Sequence, residues 1–127
     1  MIALDTSALT KLAVAERESP ALIGVLRKEE LVACELVRTE LRRAVLRIAP
    51  DRLGDADAVL SRLRLVRLDA ELLDAAGRLG PTELRSLDAI HITSALLLGD
   101  ELTAFVTYDV RQAGAARTAG LDVRAPA

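Results

Sequence analysis

The chain has 127 residues, of which 51% are hydrophobic and 28% charged, with a formal net charge of −2. That is the composition of a folded domain around one core, and it excludes a disordered polypeptide. The near-neutral charge excludes a broad polycationic surface, and the 2% aromatic content excludes nucleic-acid binding by stacking on aromatic platforms.

In chain order, residues 2–5 (IALD) read as a short strand and residues 7–15 as a helix with Ser7 at its N-cap. Ser19-Pro20 opens a helix over residues 20–29, with proline at the first helical position. LVAC at 31–34 is a strand holding Cys34, the only cysteine. One cysteine excludes an internal disulfide and a cysteine-type zinc site, leaving a buried structural thiol. Residues 35–48 form an amphipathic helix that stops before Pro50, and Asp51 starts another that runs to about Arg62. LRLVRL at 63–68 is a strand; Asp69 then caps a helix to about Leu79, ended by Gly80-Pro81. Residues 83–98 form the longest and most apolar helix, closed by Gly99. TAFVTY at 103–108 is a strand, Asp109 opens a helix to about Ala119, Gly120 ends it, and residues 121–124 make the last strand.

Strands alternating with helices predict an α/β fold, a three-layer α/β/α sandwich with a central, mostly parallel five-stranded sheet. No linker or repeat divides it, so residues 1–127 are expected to form a single domain. No apolar run is long enough to span a bilayer and no signal peptide is read, so a cytoplasmic protein without membrane contact is expected. Ligands of such sheets bind beyond the carboxyl ends of the strands, where the strand order reverses. Asp5 ends the first strand and Asp109 follows the fourth; they reach the same edge if those strands are neighbours.

Two further acids stand out. Glu40 lies on the apolar stripe of its helix, among Leu36, Val37, Leu41, Ala44, Val45 and Ile48. A carboxylate there needs a partner, either Arg43 one turn on or a ligand. Asp88 sits in an apolar helical segment between Leu84 and Ile92, a poor place for aspartate in mid-helix. His91, three residues on, can meet Asp88 on one face, so a buried structural pair and a functional role are both open. As the only histidine, His91 makes a poor transition-metal site and reads as structural or as support for other groups. No GxxxxGK[ST] or GxGxxG stretch is present. Four carboxylates gathered in one pocket repel each other, and a divalent cation relieves this. Oxygen ligands suit Mg²⁺ or Mn²⁺, which activate water for phosphoryl displacement. From the residues alone the reading is a metal-dependent phosphodiester or phosphate-ester hydrolase.

The blocks MIALDTSAL, ELVRTELRRA, SLDAIHITSAL and FVTYD, in this order across essentially the whole chain, resemble PIN-domain ribonucleases, and especially the VapC toxins of bacterial toxin–antitoxin pairs. The resemblance implies an acidic site of Asp5, Glu40, Asp88 and Asp109 that holds Mg²⁺, with Mn²⁺ as a substitute. Asp109 matches the most variable position of the four. Ser7 and Thr107 match polar positions that support the site. The resemblance also implies endonucleolytic cleavage of RNA to a 5′-phosphate and a 3′-hydroxyl, a homodimer, and a VapB-like antitoxin lying across the active-site groove. Arg38, Arg42, Arg43, Arg47 and Arg85 are candidates for RNA backbone contacts, or ordinary solvated residues. A haloacid-dehalogenase-like phosphatase would need a second aspartate where Ser7 stands, and a response-regulator receiver a phosphorylatable aspartate where Asp69 reads as a helix cap. A non-cleaving PIN-fold RNA-binding module is the remaining alternative, together with a metal-dependent phosphatase.

Overall fold

In a computed structural model describing residues 1–127, the apolar runs become five strands: β1 (Ile2–Leu4), β2 (Leu31–Cys34), β3 (Arg64–Val66), β4 (Ala104–Val106) and β5 (Val123–Arg124). Between them lie α1 (Thr6–Ala13), α2 (Ser19–Leu26), α3 (Val37–Ile48), α4 (Leu53–Ser61), α5 (Ala70–Gly77), α6 (Ser86–Leu96) and α7 (Val110–Thr118). The sheet order is β3-β2-β1-β4-β5 and every pairing is parallel. The chain builds outward from β1 through β2 to β3, then returns to the other side of β1 for β4. The switch point is therefore the β1/β4 boundary, where Leu4 pairs with Val106.

Alternation along the strands splits the core into two halves. Ile2, Leu4, Leu31, Ala33, Ala104 and Val106 face one side and pack with Leu9, Leu22, Leu41, Val45 and Leu60 of α1 to α4. Ala3, Val32 and Phe105 face the other side and pack with Ile92 and Ala95 of α6 and Ala115 and Ala116 of α7. Helices thus cover both faces, which is the expected three-layer sandwich. No helix is long and apolar enough to cross a membrane.

Several boundaries differ from the sequence expectation. Asp5, not Ser7, caps α1: its backbone is extended (φ −89°, ψ 179°) and its carboxylate accepts the Ala8 amide. Ser7 is already inside the helix. Residues 35 and 36 form a turn, because the Glu35 amide extends the β2–β3 ladder to the Val66 carbonyl before α3 begins. The helix after Pro50 starts with a 3₁₀ turn, Pro50–Arg52. The longest helix was expected from residue 83 but α6 starts at Ser86, since a turn closes from the Leu84 amide to the Pro81 carbonyl and Arg85 is extended. α3, at 12 residues, is slightly longer than α6, at 11. Asp69 and Asp109 cap α5 and α7 as expected. Gly120 adopts φ +99°; its amide and that of Leu121 bond to the carbonyls of Arg117 and Ala116, a Schellman ending that only glycine enters without a Cβ penalty.

Candidate active site

Asp5 follows β1 at the switch point and is 4% exposed. Its Oδ1 accepts from Ser7 Oγ at 2.7 Å and from the Ala8 amide at 3.0 Å, and its Oδ2 accepts from Thr107 Oγ1 at 2.6 Å. Burial pushes its proton affinity up, and the bonds from Thr107, Ser7 and Ala8 only partly offset this. Thr107 comes from the end of β4, and its Oγ1 also accepts the Asp109 amide at 3.1 Å. Ser7 Oγ in turn accepts the Tyr108 amide at 2.9 Å. The two hydroxyls expected to support the site therefore stitch the end of β1 to the end of β4.

Asp109 caps α7: its Oδ1 accepts the amides of Arg111 and Gln112 at 2.9 and 3.0 Å. Asp88 is the third residue of α6, in its first turn rather than in mid-helix. That placement removes the propensity penalty expected for it and gives its charge a favourable helix end. Even so, burial and the neighbouring charges of Asp109 and Asp5 raise its proton affinity, against the pull of His91 and Arg85. The acids are close enough to repel. Gln112 ties them together: this amide is 1% exposed, with Oε1 at 3.0 Å from Thr107 Oγ1 and Nε2 at 3.4 Å from Asp88 Oδ1.

Glu40 faces inward from α3, as expected, but its partner is not Arg43, which is exposed. Its Oε1 accepts from Thr6 Oγ1 at 2.8 Å and lies 2.6 Å from His91 Nε2. His91 does not bond to Asp88. One turn deeper on α6, its ring fills the space between α3 and the end of β2, with Nδ1 at 3.3 Å from Cys34 Sγ. Burial disfavours charge on this ring, but its bonds to Cys34 and Glu40 outweigh that and raise its proton affinity. Glu40 shifts the opposite way: burial works against its charge, and the His91 bond, the His91 charge and Thr6 together lower its proton affinity. The two shifts agree on an ion pair. A neutral ring is also satisfied here, since the Cys34 thiol can donate to Nδ1.

The structure thus brings Asp5, Asp88 and Asp109 together at one edge of the sheet, with Glu40 joined to them through Thr6 and His91. Glu40 Oε2, Asp88 Oδ2 and Asp109 Oδ2 have no protein donor. As they stand, no three Asp, Glu, His or Cys side chains close on one point as ligands of a metal ion. The oxygen donors of Asp5, Glu40, Asp88 and Asp109 are unlike the sulfur and nitrogen set of a structural zinc cage. A cavity of about 310 Å³ beside the acids is lined by Arg85, Asp88, Asp109, Val110 and Arg111. Neither arginine forms an ion pair; Arg42, by contrast, is engaged by Asp57 at 2.9 Å. The largest cavity, about 540 Å³ between α5 and α6, is lined by none of the four acids.

Thr6 and Gln112 escaped the sequence reading. Gln112 had a signal of the kind used for Glu40: it is a polar residue on the buried face of α7, in line with Ala115 and Ala116. Thr6 had none, because its partner is 34 residues away.

An acidic cluster at the switch point of a five-stranded parallel sandwich is the arrangement of a PIN domain. Residues 2–118 match the family described as PIN domain, and the chain belongs to it. Within that family its relatives are VapC ribonucleases. It is 45% identical over 126 residues to Ribonuclease VapC46 of Mycobacterium tuberculosis, spanning 98% of this chain and 97% of the relative. It is 39% identical over 132 residues to Ribonuclease VapC47 of the same species, spanning 99% and 97%. The fold is shared with M. tuberculosis VapC20, described as a Sarcin-Ricin loop cleaving toxin, at a TM-score of 0.75 and 18% identity over 99% of this chain and 100% of that one. It is also shared with a toxin–antitoxin complex from Klebsiella pneumoniae, at a TM-score of 0.74 and 18% identity over 100% and 98%.

Proposed function

We propose that this protein is a Mg²⁺-dependent endoribonuclease and the toxin of a toxin–antitoxin pair, acting in the cytoplasm as one PIN-like domain. The observation that carries this reading is the set of donor-free carboxylate oxygens on Glu40, Asp88 and Asp109 beside buried Asp5. Relatives named ribonucleases, 39% and 45% identical over nearly the whole chain, support it.

Of Asp5, Glu40, Asp88 and Asp109, one or two would bind Mg²⁺ directly and the others through its waters, with Mn²⁺ able to substitute. The bound ion supplies an activated water and neutralises charge in an in-line displacement at phosphorus. Ser7 and Thr107 fix Asp5 by hydrogen bonds to both of its oxygens. Asp88, whose proton affinity is raised, is better suited than Glu40, whose proton affinity is lowered, to help deprotonate the water. Arg85 and Arg111, free of ion pairs at the rim of the acidic cavity, contact RNA phosphates. A VapB-like antitoxin is the expected partner, supported by the toxin–antitoxin complex among the fold relatives. The chain is also expected to form a homodimer, and exposed Ile23, Val25, Leu73 and Leu87 offer apolar surface for either contact.

The test is cleavage of total cellular RNA by protein freed of any partner, with Mg²⁺, with Mn²⁺ and with EDTA, beside Asp5→Asn and Asp88→Asn. Metal-dependent cuts lost in both variants are expected. Folded protein that makes no cuts with either metal would leave an RNA-binding role or a phosphatase.

A further inference from the structure

We infer that His91 is a positioning residue that fixes the orientation of the Glu40 carboxylate, so that one oxygen is held by the protein and the other is left free for a metal ion or its water. This rests on the metal-site reading above.

The last torsion of a glutamate is broad, so an unrestrained carboxylate has no fixed plane. Here the plane is fixed. Thr6 Oγ1 at 2.8 Å and His91 Nε2 at 2.6 Å both engage Oε1, and nothing in the protein engages Oε2. Two donors fill the two lone pairs of Oε1, so Oε2 alone remains for a metal ion or its water. The imidazole cannot swing away from this task. It is 4% exposed, and its other nitrogen is held at 3.3 Å from Cys34 Sγ. The donors arrive from separate parts of the fold: Thr6 starts α1, His91 lies in α6, and Cys34 ends β2, while Glu40 projects from α3. A rigid support of this kind places an oxygen more accurately than a solvated glutamate does. Cys34 is too buried to act on a substrate, at 2% exposed, so the Cys–His–Glu line supports the site rather than forming a nucleophilic triad.

The experiment measures Mn²⁺ binding to RNA-free protein by electron paramagnetic resonance, with kcat, KM and thermal melts alongside. His91→Leu removes the donor; His91→Gln puts an amide N–H near the position of Nε2; His91→Asn stays polar but falls short of Glu40. His91→Leu is expected to weaken Mn²⁺ binding by about 10–100-fold, the usual effect of losing a support to a ligand, and to lower kcat more than it raises KM. His91→Gln is expected to recover most of the affinity. On a Glu40→Gln background, His91→Leu is expected to add little, because both act through the Glu40 carboxylate. If His91→Leu does not fold, the comparison of Gln with Asn decides, with Mn²⁺ held by the first and lost by the second. Equal Mn²⁺ affinity in wild type and the His91 variants, or an undiminished Leu effect on the Glu40→Gln background, overturns the role of His91 alone. Wild-type protein that binds no Mn²⁺ overturns it together with the metal-site reading.

Discussion

Thr107 Oγ1 stands 2.6 Å from Asp5 Oδ2 across 102 residues of sequence. The contact exists because β1 and β4 are neighbours, with Leu4 in register with Val106. It is short, buried and directed at a carboxylate, the strong kind of hydrogen bond. Thr107→Val keeps the shape and deletes the hydroxyl, leaving Asp5 with one oxygen unserved. The expected cost is about 1–3 kcal/mol of stability in urea unfolding, with kcat reduced as well. An unchanged midpoint and kcat would show that Asp5 does not depend on this bond.

Asp88 carries an electrostatic cost that function would explain. Its proton affinity is raised above the ordinary value by burial and by Asp109 and Asp5. The folded state therefore binds this proton more readily than the unfolded state, and stability is lost as pH rises through the folded value. Asp88→Asn is expected to raise Tm in EDTA at neutral pH by on the order of 1–3 °C. Mg²⁺ should then raise the Tm of wild type more than that of the variant. A lower Tm for Asp88→Asn in EDTA would mean that the helix-end benefit outweighs the repulsion.

The His91–Glu40 pair gives a pH signature in metal-free protein. Glu40 is shifted below its ordinary 4.5, so its contribution is present above that value and is lost as pH falls. His91 is shifted above its ordinary 6.5, so its contribution is full below that value and is lost as pH rises into the alkaline range. The stability difference between wild type and His91→Leu is expected to peak between pH 4.5 and 6.5. Urea titrations across the range from acid to alkaline pH measure it. A difference that does not vary with pH would mean that the pair carries no net charge interaction.

Arg85 and Arg111 border the acidic cavity with unpaired guanidinium groups. If each neutralises one phosphate, the double alanine variant should flatten the salt dependence of RNA binding. On single strands the slope of log K against log salt should fall by roughly 0.7 per arginine. Arg42→Ala, which breaks the ion pair to Asp57, serves as the comparison and should leave the slope close to that of wild type.

Thr93 is 4% exposed and its hydroxyl has no partner. An unsatisfied buried hydroxyl costs on the order of 1–3 kcal/mol. Thr93→Val fills the same volume without that hydroxyl and is expected to stabilise the protein by about 1 kcal/mol. A destabilised variant would show that Thr93 finds a partner in solution.

Much of the architecture was legible from local pattern. The runs read as strands at residues 2–5, 31–34 and 103–108 hold the central strands Ile2–Leu4, Leu31–Cys34 and Ala104–Val106, the first and last shorter than expected, and Asp69, Asp109 and Gly120 act at the predicted helix ends. These features are decided within four or five residues, by alternation, capping and backbone freedom, so a sequence displays them directly. Glu40 was legible for a related reason: a charge on an apolar stripe has no local explanation. The pairing with Arg43, left open by the helix spacing, does not form, because proximity along a helix says nothing of which distant side chain fills the space in front of it.

The sequence alone determined the alternation of strands and helices and marked four acids and two hydroxyls as candidates for the site. Only the tertiary structure decided that β1 lies next to β4, that Asp5 rather than Ser7 caps α1, that Gln112 links Thr107 to Asp88, and that His91 belongs to Glu40 and Cys34 rather than to Asp88. The physical reason is range. Capping and periodicity act between near neighbours, whereas strand order and buried polar pairing depend on how whole layers pack, and join residues 51, 57 and 102 positions apart.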